Sequence, residues 1–277
     1  MTPEVLAMVP NHFKHRLSSP DAALGTWLMS VSATCAEAVG WTGLDFVVVD
    51  MEHVPLDLSQ MVDLLRALAS TPVGVVTRVP WNEPVIVKRV LDAGAQTLMF
   101  PMVQTVEEAR AAVSATRYPP HGVRGVAAVH RASRFGAVPD YLRSSGPELE
   151  VIVQVETTQA WDRMADIASV EGVDAVFIGP GDLSANMGHL GNLAHPDVQD
   201  LVMRAPAIIH AQGRKAGVLV PTMDLARQCA AHGYDFVAVG SDLSAMLTGV
   251  RGHVKVWREK ESAPSVVSAP APVGSAY

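Results

Sequence analysis

The residues best suited to chemistry follow a strand-like apolar run. Residues 46–49 are apolar, and Asp50, Glu52 and His53 come within four positions directly after them. A short apolar run that ends in polar groups is typical of a buried parallel strand leaving the core. A carboxylate this close to an imidazole can orient the ring and set its tautomer for proton transfer. The alternative is a strand end whose acid only caps the next turn.

Polar side chains follow other apolar runs along the chain in the same way. Arg78 ends one run, Gln154 and Glu156 end another, and Asp182 follows the next. Two carboxylates on neighbouring strand ends, here Glu156 and Asp182, repel each other unless a cation lies between them. Oxygen ligands suit Mg²⁺ or Mn²⁺, which keep positions open for substrate and water. The alternative is that both acids are helix caps, since Asp182 precedes a predicted helix.

Arg78 and its surroundings narrow the chemistry further. A fixed guanidinium can stabilise a developing oxyanion, and the alternative is a salt bridge to Asp50 or Asp92. Backbone N–H groups around residues 179–181 form a small anion-binding corner beside Asp182. A divalent metal, an arginine and His53 as base together suit enolate chemistry on a 2-oxo acid. No strand end carries a lysine, so a Schiff-base mechanism lacks its nucleophile.

Eight short apolar segments must position these groups. Helical patterns separate the segments, and such alternation predicts parallel strands. Eight β/α units predict a closed (β/α)₈ TIM barrel, whose active site lies at the carboxyl ends of the strands. A doubly wound open sheet is the alternative, but no G-x-G-x-x-G follows the first strand to support a dinucleotide site. The predicted strands are residues 26–29, 46–53, 73–78, 97–100, 151–156, 175–178, 217–220 and 236–239.

The remaining segments complete a single-domain chain. We assign residues 1–260 to one barrel domain with a C-terminal helix, and residues 261–277 to a disordered tail rich in Ser, Ala and Pro. Apolar residues at helical spacing over 241–260 predict an amphipathic helix that packs on its own barrel or on a neighbouring subunit. Residues 119–148 show little periodicity, and a loop of that length is typically functional. Its His130 is the one histidine besides His53 kept as a candidate for chemistry.

Composition excludes several classes of protein. The chain has 277 residues, a net charge of −7 and an isoelectric point near 5.8, which argues against a nucleic-acid partner. We find neither a membrane-spanning apolar run nor a secretion signal, and therefore expect a soluble cytoplasmic protein with no membrane partner. The two cysteines, Cys35 and Cys229, lie in Ala-rich stretches and are expected to be buried free thiols.

Six motifs surround the candidate residues: DMEH at 50–53, RVPWNEP at 78–84, LDAGAQ at 91–96, RYPPHGVRG at 117–125, QVET at 154–157 and FIGPGDLS at 177–184. Together they resemble the class II, metal-dependent pyruvate aldolases of the HpcH/HpaI group, within the phosphoenolpyruvate/pyruvate barrel superfamily. The resemblance covers about residues 11–250, and the motifs are jointly specific.

The resemblance implies a reaction and its central residues. The reaction is reversible aldol cleavage of 4-hydroxy-2-oxo acids to an aldehyde and pyruvate or a related 2-oxo acid. The implied metal is Mg²⁺, Mn²⁺ or Co²⁺, bound by Glu156 and Asp182. His53 paired with Asp50 is the implied base, and Arg78 the implied partner of the enolate oxygen.

The resemblance also implies supporting residues and an assembly. Asp92 would support His53 or Arg78, either within the same subunit or across a subunit boundary. The implied assembly is a hexamer, a trimer of dimers, with C-terminal helices exchanged between subunits. The predicted substrate-binding residues are Arg78, Gln154, Gly181, Asp182 and Leu219.

Two features depart from the family pattern, and two other functions compete. Gly181 stands where alanine is usual, and residues 221–223 are not the usual polar sequence, which leaves the aldehyde open. A citryl- or malyl-CoA lyase would need a basic groove, for which the sequence offers little beyond Arg124, Arg131 and Arg134. A non-catalytic metabolite-binding barrel is the third possibility, and the presence of every expected catalytic residue disfavours it.

Overall fold

The computed structural model describes residues 8–259. Its strands are β1 Ala23–Leu28, β2 Phe46–Asp50, β3 Gly74–Arg78, β4 Thr97–Phe100, β5 Glu150–Val155, β6 Ala175–Ile178, β7 Lys215–Val220 and β8 Phe236–Ser241. The first helices are α1 His12–Arg16, α2 Ala33–Gly40, α3 Leu58–Leu68, α4 Pro84–Asp92, α5 Val106–Thr116 and α6 Tyr141–Ser144. The remaining helices are α7 Thr158–Asp162, α8 Met164–Ser169, α9 Pro180–Asn186, α10 Pro196–His210, α11 Met223–Ala231 and α12 Asp242–Arg258.

The eight strands close into one parallel barrel in sequence order, which confirms the predicted (β/α)₈ fold. The predicted bounds of β4 and β6 agree with the observed ones. β1 begins three residues before the prediction, because Ala23 and Leu24 pair with Phe236 and Val237 of β8. That pairing closes the barrel, so its extent depends on a strand more than two hundred residues away.

A layer of aromatic rings fills the barrel interior near its amino-terminal end. Phe13 of α1 is fully buried, with its ring centroid 5.2 Å from that of Phe46 and 5.3 Å from that of Phe236, both edge-to-face. Asn11 caps this helix, because its side chain accepts from the Lys14 backbone N–H. The short helix therefore plugs the barrel bottom with apolar surface and leaves the polar strand ends at the opposite mouth.

Helix caps fix where the outer helices begin. Thr105 and Glu108 form a capping box at the start of α5, in which each side chain accepts from the other residue's backbone N–H. Asp57 and Gln60 form a second box at the start of α3. These reciprocal bonds satisfy N–H groups that a helix leaves unpaired at its first turn. Each helix consequently starts at a set distance after its strand.

Three segments refine the sequence expectations. The loop at 119–148 contains the short helix α6 and two 3₁₀ turns, at Arg131–Ser133 and Gly146–Glu148. Cys229 is buried as expected, whereas Cys35 is exposed because it lies on the outer face of α2.

The tail predicted at 261–277 lies outside the described residues, and the single-domain assignment of 1–260 stays a prediction. Among the described residues, no helix is long and apolar enough to cross a membrane.

Candidate active site

A cavity of about 390 Å³ opens at the carboxyl ends of the strands. Its lining includes eight of the nine predicted site residues. Those eight are Asp50, His53, Arg78, Gln154, Glu156, Gly181, Asp182 and Leu219. An apolar wall, which the sequence did not assign, includes Trp27, Met29, Phe177, Leu193 and Pro221. The apolar residues lack any chemical signature in the sequence, so only the closed barrel reveals them.

Asp50 and Arg78 form a two-pronged ion pair at the floor of the cavity. The strand register places the two residues directly opposite each other on β2 and β3. Arg78 Nε donates to Asp50 Oδ1 at 2.8 Å and Nη2 donates to Oδ2 at 2.6 Å, with both residues buried. The guanidinium also lies 5.4 Å from the ring centroid of Trp27. This fork holds the guanidinium in one plane and leaves its remaining edge for other partners.

The predicted pairing of Asp50 with His53 is wrong in this structure, because both oxygens of Asp50 are bonded to Arg78. Glu52 stands beside the imidazole instead, with His53 Nε2 3.8 Å from its Oε2. The same Oε2 lies 2.8 Å from Arg78 Nη1, an ion pair outside hydrogen-bond geometry. Burial raises the pKa of Glu52 despite the opposing charges of Arg78 and His53. His53 itself is 60% exposed and can meet both solvent and a ligand in the cavity.

Glu156 is an almost fully buried carboxylate with few partners. Its Oε1 accepts from the Met102 backbone N–H at 2.6 Å, and its Oε2 accepts from Gln154 Nε2 at 3.1 Å. Burial, together with the charges of the nearby acids Glu52 and Asp182, raises the pKa of Glu156 to about 7, although the hydrogen bond from Met102 and the charge of Arg78 lower it. The site thus collects negative charge that a bound cation would neutralise.

The donors at this point fit a hard divalent cation. Glu156 and Asp182 both line the cavity, and the buried Gln154 Oε1 has no hydrogen-bond partner. All of these donors are oxygens, the ligands that Mg²⁺ and Mn²⁺ prefer. Such ions are commonly held by one or two carboxylates, with the remaining positions left to substrate and water. The observed residues are therefore sufficient for an open metal site.

The backbone just before Asp182 passes close to the side chain of Glu156. Asp182 lies in the first turn of α9, which begins at Pro180 directly after Gly179. A Cβ on Gly179 would lie 2.5 Å from Glu156 Oε2, so the absence of a side chain there gives the carboxylate its place. A Cβ on Gly181 would meet nothing within 4 Å. Glycine is thus required sterically at 179 and not at 181.

Asp92 lies outside this cavity. It is the last residue of α4, so it sits near the start of β4, at the opposite end of the barrel from the strand ends. Its Oδ1 accepts from the buried Arg124 at 2.8 Å and lies 3.7 Å from Nε2 of His130. Within one chain Asp92 therefore does not reach His53 or Arg78, and only its role across a subunit boundary stays a prediction.

The other basic residues considered for a CoA groove are not at the mouth either. Arg124 is fully buried against Asp92 and stacks on Tyr118 at 4.5 Å. Arg131 and Arg134 line a separate cavity that also contains Asn11 beside α1. Arg78 is the one permanent cation among the described residues that line the strand-end cavity. The mouth therefore lacks the basic groove that a long anionic cofactor would need.

The residues of the cavity indicate the class of protein. They are those of a (β/α)₈ barrel enzyme that stabilises negative charge developing beside a carbonyl group. Comparison with known proteins agrees with this class. The sequence profile described as HpcH/HpaI aldolase/citrate lyase matches residues 23–248. The chain belongs to the HpcH/HpaI aldolase/citrate lyase family.

Individual relatives are similar over most of their length. The chain is 44% identical to a 5-keto-4-deoxy-D-glucarate aldolase of Salmonella arizonae, over 88% of this chain and 96% of the relative. It is 46% identical to the enzyme of the same name from Salmonella paratyphi A, over 86% and 93%. A crystal structure of an HpcH/HpaI family protein from Burkholderia cenocepacia superposes with a TM-score of 0.87 at 41% identity, covering 90% of this chain and 99% of that one. These similarities support an aldolase, a carbon–carbon lyase acting on small molecules.

Proposed function

We propose that this protein is a metal-dependent aldolase that cleaves 4-hydroxy-2-oxo acids reversibly to pyruvate and an aldehyde. The observation that carries the proposal is the convergence of two acids, Glu156 and Asp182, with Arg78 in one strand-end cavity. The aldolase relatives, at 44% and 46% identity over most of the chain, support the same reaction. The absence of a basic groove among the described mouth residues favours it over a CoA-dependent lyase.

Glu156 and Asp182 would hold the divalent ion, which we propose to be Mg²⁺ or Mn²⁺, with Co²⁺ as a further candidate. Their oxygen donors and the buried charge of Glu156 support this choice. The ion would polarise the 2-oxo group of the substrate as a Lewis acid. Gln154, through its free Oε1, would accept a hydrogen bond from substrate or from water beside the ion.

In this proposal Arg78 stabilises the developing negative charge and His53 transfers the proton. During cleavage the 4-hydroxyl loses its proton, the bond between C3 and C4 breaks, and its electron pair moves toward the 2-oxo oxygen. Arg78, held in plane by Asp50, would face the charge developing on that oxygen. His53, with Glu52 beside it, would accept the hydroxyl proton. A proton delivered to C3 then completes pyruvate, and C4 leaves as the aldehyde.

The named substrate of the relatives offers a specific candidate. In 5-keto-4-deoxy-D-glucarate the methylene group lies between the keto carbon and a hydroxylated carbon, so aldol cleavage gives pyruvate and a three-carbon aldehyde acid. We propose this diacid as the first substrate to test. Leu193, Leu219 and Pro221 present apolar surface on the wall where the aldehyde would leave. Apolar aldehydes belong in the same test panel.

We also propose a hexameric assembly in which the site is completed by a neighbour. Helix α12 has no buried residue, so its apolar side chains are available to another subunit. Asp92, Arg124 and His130 form a polar group in which only Arg124 is fully buried, and we propose that its partly exposed members approach a neighbour's cavity rather than their own. The cytoplasmic location stays a prediction of the sequence.

Removal of the metal tests the proposed function. We expect dialysis against a chelator to abolish pyruvate release from 5-keto-4-deoxy-D-glucarate, and Mg²⁺ or Mn²⁺ to restore it. The matched variant Glu156→Gln keeps the size of the side chain and one accepting oxygen but removes the charge, so added metal should restore little activity. Proton exchange at the pyruvate methyl group in deuterated water, followed by NMR, reports the first half of the reaction without any aldehyde.

The control is Glu171→Gln, an exposed acid on another part of the surface. It should behave as the parent in both assays. Full cleavage and full exchange in a metal-free parent, checked by elemental analysis, would contradict the proposal. Unchanged circular dichroism of Glu156→Gln would show that its loss of activity is not a loss of fold.

A further inference from the structure

A second group of metal-ligating side chains lies between α9 and α10. Among the described residues, His189, His195 and Asp197 are the one group of three His, Cys, Asp or Glu side chains whose ligand atoms lie within 4.8 Å of one another. Asp197 Oδ2 is 3.8 Å from His189 Nε2 and 3.8 Å from His195 Nδ1. The two imidazole rings stack with centroids 3.5 Å apart. Neither histidine is among the site residues predicted from the sequence.

Local turns hold the three side chains together. The His189 backbone N–H donates to Ser184 O at 2.7 Å, and the Asn192 N–H donates to His189 O at 2.8 Å. The His195 N–H then donates to Asn192 O at 3.1 Å, and His195 caps α10. Three successive turns thus fold residues 189–197 back on themselves. The group is assembled by neighbouring residues and does not depend on distant parts of the chain.

The donor chemistry differs from that of the strand-end cavity. Two imidazole nitrogens and one carboxylate oxygen suit Zn²⁺, which binds nitrogen and oxygen at about 2.0–2.2 Å. Oxygen-only sites suit Mg²⁺ and Mn²⁺ instead. Ligand atoms around a tetrahedral zinc lie roughly 3.3–3.5 Å apart by that bond length, so the 3.8 Å separations require only a small closure.

We propose that His189, His195 and Asp197 form a zinc-binding site separate from the catalytic metal site. Since a metal lies in the plane of each imidazole it binds, one stacked ring must turn. Side-chain exposures of 27% for His189 and 30% for His195 leave room for that turn. The Asp197 N–H, which now donates to His195 Nδ1 at 3.3 Å, would be released to water.

Zinc at this site would act on the catalytic cavity through Leu193. That residue lies between the two histidines in sequence and lines the cavity where the aldehyde would leave. Joining both ends of the loop to one ion would restrict the position of Leu193. The zinc site would therefore hold the Leu193 side of the catalytic cavity in one position. Zinc binding at this site does not depend on the proposed aldolase activity.

Zinc stoichiometry tests the proposal. Untagged full-length protein, first stripped of bound metal with a chelator, is titrated with Zn²⁺ by calorimetry, alongside His189→Gln, His195→Asn and Asp197→Asn. Asparagine at 195 keeps an oxygen that can cap α10. We expect two zinc ions per parent chain, one in each of these variants and one in the double variant Glu156→Gln, Asp182→Asn. Combining both sets of changes should leave none, and each single change at the cluster should weaken its zinc affinity at least tenfold.

The control His232→Gln removes an exposed histidine at the end of α11 and should bind as much zinc as the parent. Zinc should also raise the melting temperature of Glu156→Gln, Asp182→Asn, and this rise should vanish when His189→Gln is added. A parent that binds a single zinc, lost with Glu156 and Asp182, would overturn the proposal. So would equal zinc affinity in His189→Gln and the parent.

Discussion

At the scale of single residues, Arg78 connects the structural and chemical parts of the cavity. It pairs with Asp50 through two hydrogen bonds, lies 2.8 Å from Glu52 and stacks near Trp27. Burial would lower the pKa of Arg78, but the bonds and charge of Asp50, with Glu52 and Glu156, raise it above its ordinary value. The guanidinium thus stays charged under all working conditions. It compensates buried acids and leaves positive charge facing the cavity.

Arg78→Ala should therefore lose both activity and stability. Loss of an oxyanion partner is expected to slow methyl-proton exchange of pyruvate about 10²–10³-fold. Leaving buried Asp50 unpaired should destabilise the fold by about 3–5 kcal/mol. Arg78→Lys should recover part of the stability but little exchange, because an ammonium cannot reproduce the planar fork. NMR exchange rates and urea unfolding check the two effects, and normal exchange in Arg78→Ala would show that Arg78 serves only the ion pair.

At the scale of elements, strand register and helix starts decide which groups meet. β2 and β3 pair so that Asp50 faces Arg78, and β5 and β6 end beside each other to bring Glu156 near α9. The start of α9 then delivers Asp182 to the same cavity. A shift in any of these elements would separate the acids. The glycines before and within α9 are a sensitive place to test that arrangement.

A matched pair of glycine substitutions tests whether Gly179, unlike Gly181, is needed to make room for Glu156. Gly179→Ala places a methyl group against Glu156, whose Oε2 would lie 2.5 Å away, and should weaken metal affinity about 10–100-fold. Gly181→Ala meets open space and should raise stability by about 0.5 kcal/mol with activity retained. Metal titration and thermal unfolding measure both. Equal metal affinity in the two variants would contradict this account of Gly179.

Glu150, the first residue of β5, introduces a pH dependence at the other end of the barrel. Burial, followed by the charge of Asp174, raises its pKa from 4.5 to about 7, even though Lys14 lies 3.4 Å away. The folded state therefore holds the proton more tightly than the unfolded chain. Stability from this group is complete below pH 4.5 and is lost as the pH rises through about 7.

Glu150→Gln should accordingly be more stable than the parent at pH 8 by about 3 kcal/mol, since one pKa unit corresponds to roughly 1.4 kcal/mol. At pH 4 the two proteins should differ little, because the carboxyl group is then protonated in both states. Urea unfolding at the two pH values measures the difference. Glu171→Gln, on the exposed surface, is the control and should show no such change.

At the scale of the whole molecule, α12 extends the barrel with a surface that the single chain does not cover. Met246 and Val250 are each 54% exposed, and Trp257 is 89% exposed. Leu247 and Val254 are each 41% exposed on the same helix. An apolar face of this kind is expected to be covered by another subunit. In the proposed hexamer, this helix would therefore contribute to stability through its contacts with another subunit.

Placing charge on that face should break the assembly. We expect Leu247→Lys with Val254→Lys to sediment as smaller species than the parent, because lysine cannot be buried without a partner. Lysine at these exposed positions leaves the barrel core untouched, so circular dichroism should not change. The control Lys255→Gln alters an exposed polar position of α12. A parent that sediments as a monomer would contradict the proposed hexamer.

The sequence by itself determined the barrel and the identity of the charged residues that line the cavity. Short β-branched runs separated by helical periods lead to parallel strands, and polar residues at strand ends must gather at one mouth. That is why Asp50, His53, Arg78, Glu156 and Asp182 line one cavity.

Only the tertiary structure decided which of those residues pair and which stand apart. Asp50 accepts hydrogen bonds from Arg78 and not from His53, which is closer to it in sequence. The reason is that the register of β2 and β3 brings together residues that are far apart along the chain. Asp92 lies at the opposite end of the barrel, because a helix returns the chain to the start of the next strand. Leu193 and Trp27 carry no chemical signal and become cavity walls only on closure. Local patterns fix the elements and their polar ends, whereas pairing depends on distances that exist only after the barrel has closed.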